Sequence, residues 1–195
     1  MITNQELLNI AMTQSAIDAG CRMEDFLKFE PVVVTSVYHP KHRKYLQLPF
    51  FCNLISYGNN VVASAAPEFQ DTVLQYLKRY AAPHCFETPN LHVLQDALQP
   101  YGMKICFMAE YFLPDVTRLT VFSCAYELRL LSPPDFNALY LPQWSNALCS
   151  KRKELDILGV GAYDNGQLIG LAACSADCDT MWQIGVDVLP QYRRS

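Results

Sequence analysis

The sequence predicts an α/β protein of the α+β type, with a mainly antiparallel sheet and flanking helices in its C-terminal part. Three observations carry this. Short apolar runs of strand length alternate with stretches of helical period that open on threonine or proline. Two pairs of neighbouring apolar runs are joined by tight-turn residues, Gly58-Asn59-Asn60 and Asp164-Asn165-Gly166, which make hairpins and so antiparallel pairing. The chain of 195 residues is 51% hydrophobic and 17% charged, enough apolar matter for one large core or two small ones.

Taken in order, Thr3 caps a helix that carries Leu7, Ile10, Ala11 and Ile17 on one face and stops at Gly20. A short helix over residues 23–29 ends before Pro31, and VVVTSV (32–37) reads as a strand. FFCNLISYG and NVVASAA read as the two strands of the first hairpin. Pro67 opens a helix with Phe69, Val73, Leu77 and Tyr80 on one side, and Pro89 opens another with Leu91, Leu94, Leu98 and Tyr101, ending at Gly102. MKICFMAEYFL (103–113) reads as a strand. The chain turns polar over residues 114–120, and a boundary there gives an N-terminal accessory unit, 1–120, and a C-terminal unit, 121–195. The second unit predicts a strand over 126–131, a helix from Pro134 or Asp135 to about Leu148, the hairpin DILGVGAYDNGQLIGLAAC, and a last strand, MWQIGVDVLP.

Composition excludes several functions. A net charge of -4 gives no nucleic-acid surface, and the one basic cluster, residues 39–44, reads as a solvated turn, with a phosphate or acidic-partner contact as the alternative. No apolar run reaches the roughly 18 residues of a membrane span. The start, MITNQELLNI, has no signal-peptide pattern, which predicts a cytoplasmic protein. The eight cysteines form no C-x-x-C pair, and Cys174 and Cys178 fit no common zinc spacing. His39 and His42 flank Pro40 with no third ligand near, so no metal is expected.

The C-terminal order is strand, helix, strand, tight turn, strand, loop, strand, and then Pro190-Gln191-Tyr192-Arg193. Ile184 to Arg193 fits the pattern V-x-V-x-P-x-[YF]-[RQ], and YDNGQLIGLAA fits the hairpin before it. In this order and spacing, residues 124–195 resemble the first half of a GNAT-superfamily N-acetyltransferase. The resemblance implies acetyl-CoA as acyl donor, with no metal, and a small-molecule or peptide amine as acceptor. It implies that backbone groups of Val186, Asp187 and Val188 pair with the pantetheine arm, and that Arg193, Arg194 and Ser195 begin the pyrophosphate loop. Successive N–H groups at a helix start suit such an anion. Asp187 is the candidate general base; a structural carboxylate is the other reading of the same residue. The loop glycines that follow in the family, [RQ]-x-x-G-x-[GA], lie past Ser195, so the sequence reads as a chain truncated within its phosphate cradle and impaired in activity. A non-catalytic ligand-binding or dimerisation module is the alternative.

Two further expectations follow. NVVASAAPEFQ (60–70) parallels GVDVLPQYR, so the first unit reads either as a degenerate half of the same fold or as an unrelated α/β domain. A sheet ended at its fourth strand leaves Val186, Val188, Leu171 and Ala173 without apolar cover and residues 181–189 with an unpaired edge, which predicts a homo-oligomer joined through the last strand or the adjacent face, or else an N-terminal unit that covers the gap within one chain.

Overall fold

The structure, a computed structural model, describes residues 2–193, so the expectations placed on Arg194 and Ser195 lie outside the described residues. The chain divides into two compact units, Met1–Leu119 and Thr120–Ser195.

In the first unit, helix α1 (Asn4–Ala19) begins at a complete capping box. The Thr3 hydroxyl accepts the Glu6 N–H at 3.2 Å, and the Glu6 carboxylate accepts the Thr3 N–H at 2.7 Å. Gly20 ends the helix at φ 74°, where a side chain would be strained and would also meet Val37. Of the predicted face, Ala11 is buried, but the buried face as a whole is turned away from the predicted one. Met12, Ser15, Ala16 and Ala19 are buried, whereas Leu7, Ile10 and Ile17 are half-buried. The small residues of this stripe let the helix lie close to the sheet, with Met12 and Ala16 against Phe26 and Val62. Asp18, 2% exposed, accepts the backbone N–H of Arg43 at 2.8 Å, the Arg43 guanidinium and the Gln14 amide, so one residue of the basic cluster is spent on fixing its own turn to α1.

Three strands follow: β1 (Val32–Thr35), β2 (Cys52–Ser56) and β3 (Val61–Ala65). Their order is β1-β3-β2, with β3 parallel to β1 and antiparallel to β2. Every residue of β3 is buried, with Val62 towards α1 and Val61, Ala63 and Ala65 on the opposite core. That second core is closed by α2 (Gln70–Arg79) and α3 (Thr88–Leu98), through Phe69, Val73, Leu77, Leu94 and Leu98. Gly102, at φ 68°, ends the turn after α3. Residues 103–113 form no strand, contrary to expectation, and Phe107, Met108, Tyr111 and Phe112 are exposed.

The second unit is a four-stranded antiparallel sheet in chain order: β4 (Glu127–Leu131), β5 (Asp156–Asp164), β6 (Gln167–Ser175) and β7 (Gln183–Val188). The turn between β5 and β6 has Asn165 at φ 48° and Gly166 at φ 82°, the left-handed pair a two-residue hairpin needs. The single helix expected after β4 is broken. Helix α4 (Pro133–Phe136) ends after one turn, and a 3-10 turn at Pro142–Trp144 follows. Pro142 keeps a helix from running on to Leu148, because it lacks the N–H for an i−4 bond and its ring disfavours helix at the residue before it. The broken segment still covers one face of the sheet: Phe136, Trp144, Ala147 and Leu148 pack with Leu131, Leu171 and Ala173. Leu171 and Ala173 are therefore covered, contrary to expectation. Register places them opposite Asp187 and Gly185, on the face turned away from Val186.

Candidate functional site

The candidate site is β7 and the turn that leaves it. Strand β7 is an edge strand among the described residues, bonded to β6 alone. Leu189 donates its N–H to the Ile169 carbonyl at 2.9 Å. In an antiparallel pair the inward-bonding residues alternate, so Asp187 and Gly185 also turn their backbone groups to β6. Ile184, Val186 and Val188 then present theirs at the free edge. The Val188 carbonyl accepts Arg193 Nε at 2.9 Å, in keeping with this direction. Of the three strand residues proposed from sequence, Val186 turns both backbone groups to the free edge, Val188 keeps its N–H there while its carbonyl is taken by Arg193, and Asp187 bonds inward.

Asp187 also spends its side chain inside. Its carboxylate, on a residue 8% exposed, accepts the backbone N–H groups of Asn146 (2.8 Å) and Ala147 (2.9 Å) and the Asn146 amide (2.9 Å). The loop lies so close to the strand because residue 185 is glycine: a Cβ there would sit 1.8 Å from the Asn146 carbonyl oxygen. Gly185 and Asp187 together latch the loop after the Pro142–Trp144 turn onto β7. The geometry thus supports the structural reading of Asp187 over the basic one.

After β7 the chain makes a 3-10 turn, Pro190–Tyr192. Tyr192 donates its hydroxyl to Asp164 at 3.0 Å and stands edge-on to Tyr126. That bond to the Asp164 carboxylate raises the Tyr192 phenol above its ordinary range. Arg193 is exposed, and its bond to Val188 uses Nε, leaving the outer guanidinium edge directed away from that contact. The same turn occurs in the first unit. Ala66 has φ -58° and ψ 143° and Leu189 φ -57° and ψ 140°, and each precedes a Pro-x-aromatic 3-10 turn. Each donates its own N–H to the neighbouring antiparallel segment, Ala66 to Phe51 and Leu189 to Ile169. The strands differ in surroundings, since β3 is paired on both edges and β7 on one.

A second polar cluster, at the opposite end of the sheet, was not legible in the sequence. Burial pushes the Asp156 carboxyl up, against the Cys149 N–H and Tyr140 hydroxyl bonds that lower it. Burial also raises the Tyr140 phenol to about 12, helped by Asp156. The Cys149 thiol moves the other way. Burial opposes ionisation, but the Arg152 guanidinium and the N–H groups of Lys151 and Arg152 hold it below its usual range. Asp177, 3% exposed, accepts the Ser175 hydroxyl at 3.0 Å and lies 3.7 Å from Arg152. Residues 140, 149, 152, 156 and 177 come from separate segments, and no spacing motif announces them.

Among the described residues no group of three or more His, Cys, Asp or Glu side chains could hold a metal ion, and no helix is long and apolar enough to cross a membrane. Comparison with family models, with curated proteins and with solved structures finds no match to this chain.

Proposed function

We propose that the chain carries the acyl-donor half of an acetyl-CoA-dependent N-acetyltransferase of GNAT type, which moves an acetyl group to a small-molecule or peptide amine in the cytoplasm. One observation carries the reading: the free edge of β7 presents the backbone of Val186 and Val188 and runs directly into the Pro190–Tyr192 turn and Arg193. A pantetheine arm has two amides spaced along an extended chain, and such an arm pairs with a strand edge as another strand would. In this reading Val186 and Val188 bind the arm and Arg193 meets the phosphates. A backbone N–H of β7 stands towards the thioester oxygen, where it stabilises charge developing in the transition state. Asp187 is a positioning residue that fixes the 145–148 loop beneath the strand.

The second reading, a ligand-binding module without catalysis, draws on one observation. The carboxylate of β7 is already engaged by three donors, so no free base stands on this strand. Two measurements test the first reading and separate it from the second. Calorimetric titration with acetyl-CoA and with acetyl-pantetheine tests the edge. Both ligands bind weakly, near the millimolar range or about -4 kcal/mol, because the shared contact is to the pantetheine arm. No heat from either ligand at several millimolar overturns the first reading. Release of free thiol from acetyl-CoA in the presence of an amine panel then supports the enzyme, and binding without release supports the module.

A further inference from the structure

The face of the C-terminal sheet opposite the 133–149 cover is apolar throughout. Register aligns Leu130, Val160, Ala172 and Val186 in one row across all four strands. The rows on either side begin at Leu128 and at Leu158 and contain no charged side chain and no amide or hydroxyl group. Leu128, Leu130, Val160, Ile184 and Val186 are exposed, Leu130 at 73% and Ile184 at 67%. This differs from the scattered single apolar residues of an ordinary surface, because the rows are contiguous.

We propose that this face is the interface with a second copy of the chain, packed sheet on sheet about a twofold axis. The area fits. Four strands about 4.8 Å apart and three rows about 7 Å apart give a footprint on the order of 400 Å². Side-chain relief raises this to roughly 600 Å² of accessible surface per copy, or about 1,200 Å² for the pair, the lower end of specific interfaces. The chemistry fits as well. A face with neither charge nor hydrogen-bonding side chain has nothing with which to select an unlike polar partner. Against itself it is complementary at every position, and an isologous contact sets no like charges together. Sheets so packed stand about 10 Å apart and interdigitate their side chains. The interface concerns the face of β7, whereas the acetyl-CoA reading concerns its edge.

Analytical ultracentrifugation of the 195-residue chain, 22.1 kDa as a monomer, tests this. The expected species is a dimer of about twice that mass. Val186→Lys and Leu130→Lys, both at exposed positions, weaken it at least tenfold with unchanged circular dichroism, whereas Val93→Lys on α3 leaves it intact. Cys174 provides a second readout without any substitution, because its register partner is Ile184 and its side chain lies on this face. Its maleimide labelling rate rises on dilution through the dimer dissociation range. A monomer at high concentration overturns the proposal, whether Cys174 is open or protected. A dimer that survives both lysine variants in folded form, or Cys174 labelling that ignores concentration, overturns it equally.

Discussion

Gly185→Ala is the sharpest probe of the latch under β7. The new methyl would lie 1.8 Å from the Asn146 oxygen, 2.7 Å from its carbonyl carbon and 3.0 Å from the Ala147 Cα. All three are backbone atoms, so no side chain can rotate away, and the loop must retreat by more than 1 Å to restore van der Waals contact. That displacement stretches the three hydrogen bonds to Asp187, now 2.8 to 2.9 Å. Overpacking costs about 1–3 kcal/mol, and each buried N–H left without an acceptor costs about 1–3 kcal/mol. With partial relaxation the expected loss is about 3–4 kcal/mol, a factor of several hundred in the folding equilibrium of the unit. Gly170→Ala is the matched control. It stands on the adjacent strand, where a Cβ would meet nothing nearer than 3.7 Å, and it costs under about 1 kcal/mol. Urea unfolding followed by Trp144 fluorescence reports both, since that side chain is 3% exposed in the same core. Asp187→Ala has a cost of similar size, and the double variant is markedly less than additive because both changes release one loop. Equal stability of Gly185→Ala and Gly170→Ala would refute the latch.

Three further outcomes are expected. Alkylation of Cys149 by iodoacetamide reaches half its limiting rate below the usual thiol range of about 8.5, and Arg152→Ala moves that midpoint up; a midpoint unmoved by the variant contradicts the assigned role of Arg152. The raised folded pKa of Asp156 means the native state holds a proton the unfolded state has lost, so its contribution to stability falls as pH rises from the ordinary carboxylate range through the folded value; Asp156→Asn flattens that part of a denaturation-versus-pH profile. Asp18→Ala leaves the partly buried Arg43 guanidinium without its carboxylate and destabilises the first unit by about 3 kcal/mol, measured by chemical denaturation; a loss under 1 kcal/mol contradicts the buried pair.

The sequence displayed most of the fold wherever a local rule decides it. Thr3, Gly20, Gly102 and the Asp164–Gly166 turn each act within a few residues, and each stands where expected. What failed depended on partners far along the chain or on one overlooked breaker. Residues 103–113 have strand composition, but a strand needs a neighbouring strand, and among the described residues no ladder forms here; Ile105 instead donates its N–H to the Gln95 side chain. The helix expected through Leu148 ignored Pro142. On α1 the large apolar residues suggest one face, whereas close packing on the sheet buries the small ones. In the candidate site, the alternation along β7 was legible, and with it the opposition of Asp187 to Val186 and Val188. The loop that binds Asp187 was not legible, because Asn146 is 41 residues away. The cluster around Cys149 was invisible for the same reason.

Binding of an extended acyl-carrier arm at the free edge of β7, as proposed, is open to direct observation. Amide-resolved NMR titration with acetyl-CoA tests it most directly. Saturable shifts are expected at the amides of Val186 and Val188 and at the Arg193 side chain, with Asp187 and Gly185 moving less because their backbone groups bond β6. Shifts confined to other segments, or none along β7 at several millimolar ligand, would contradict it.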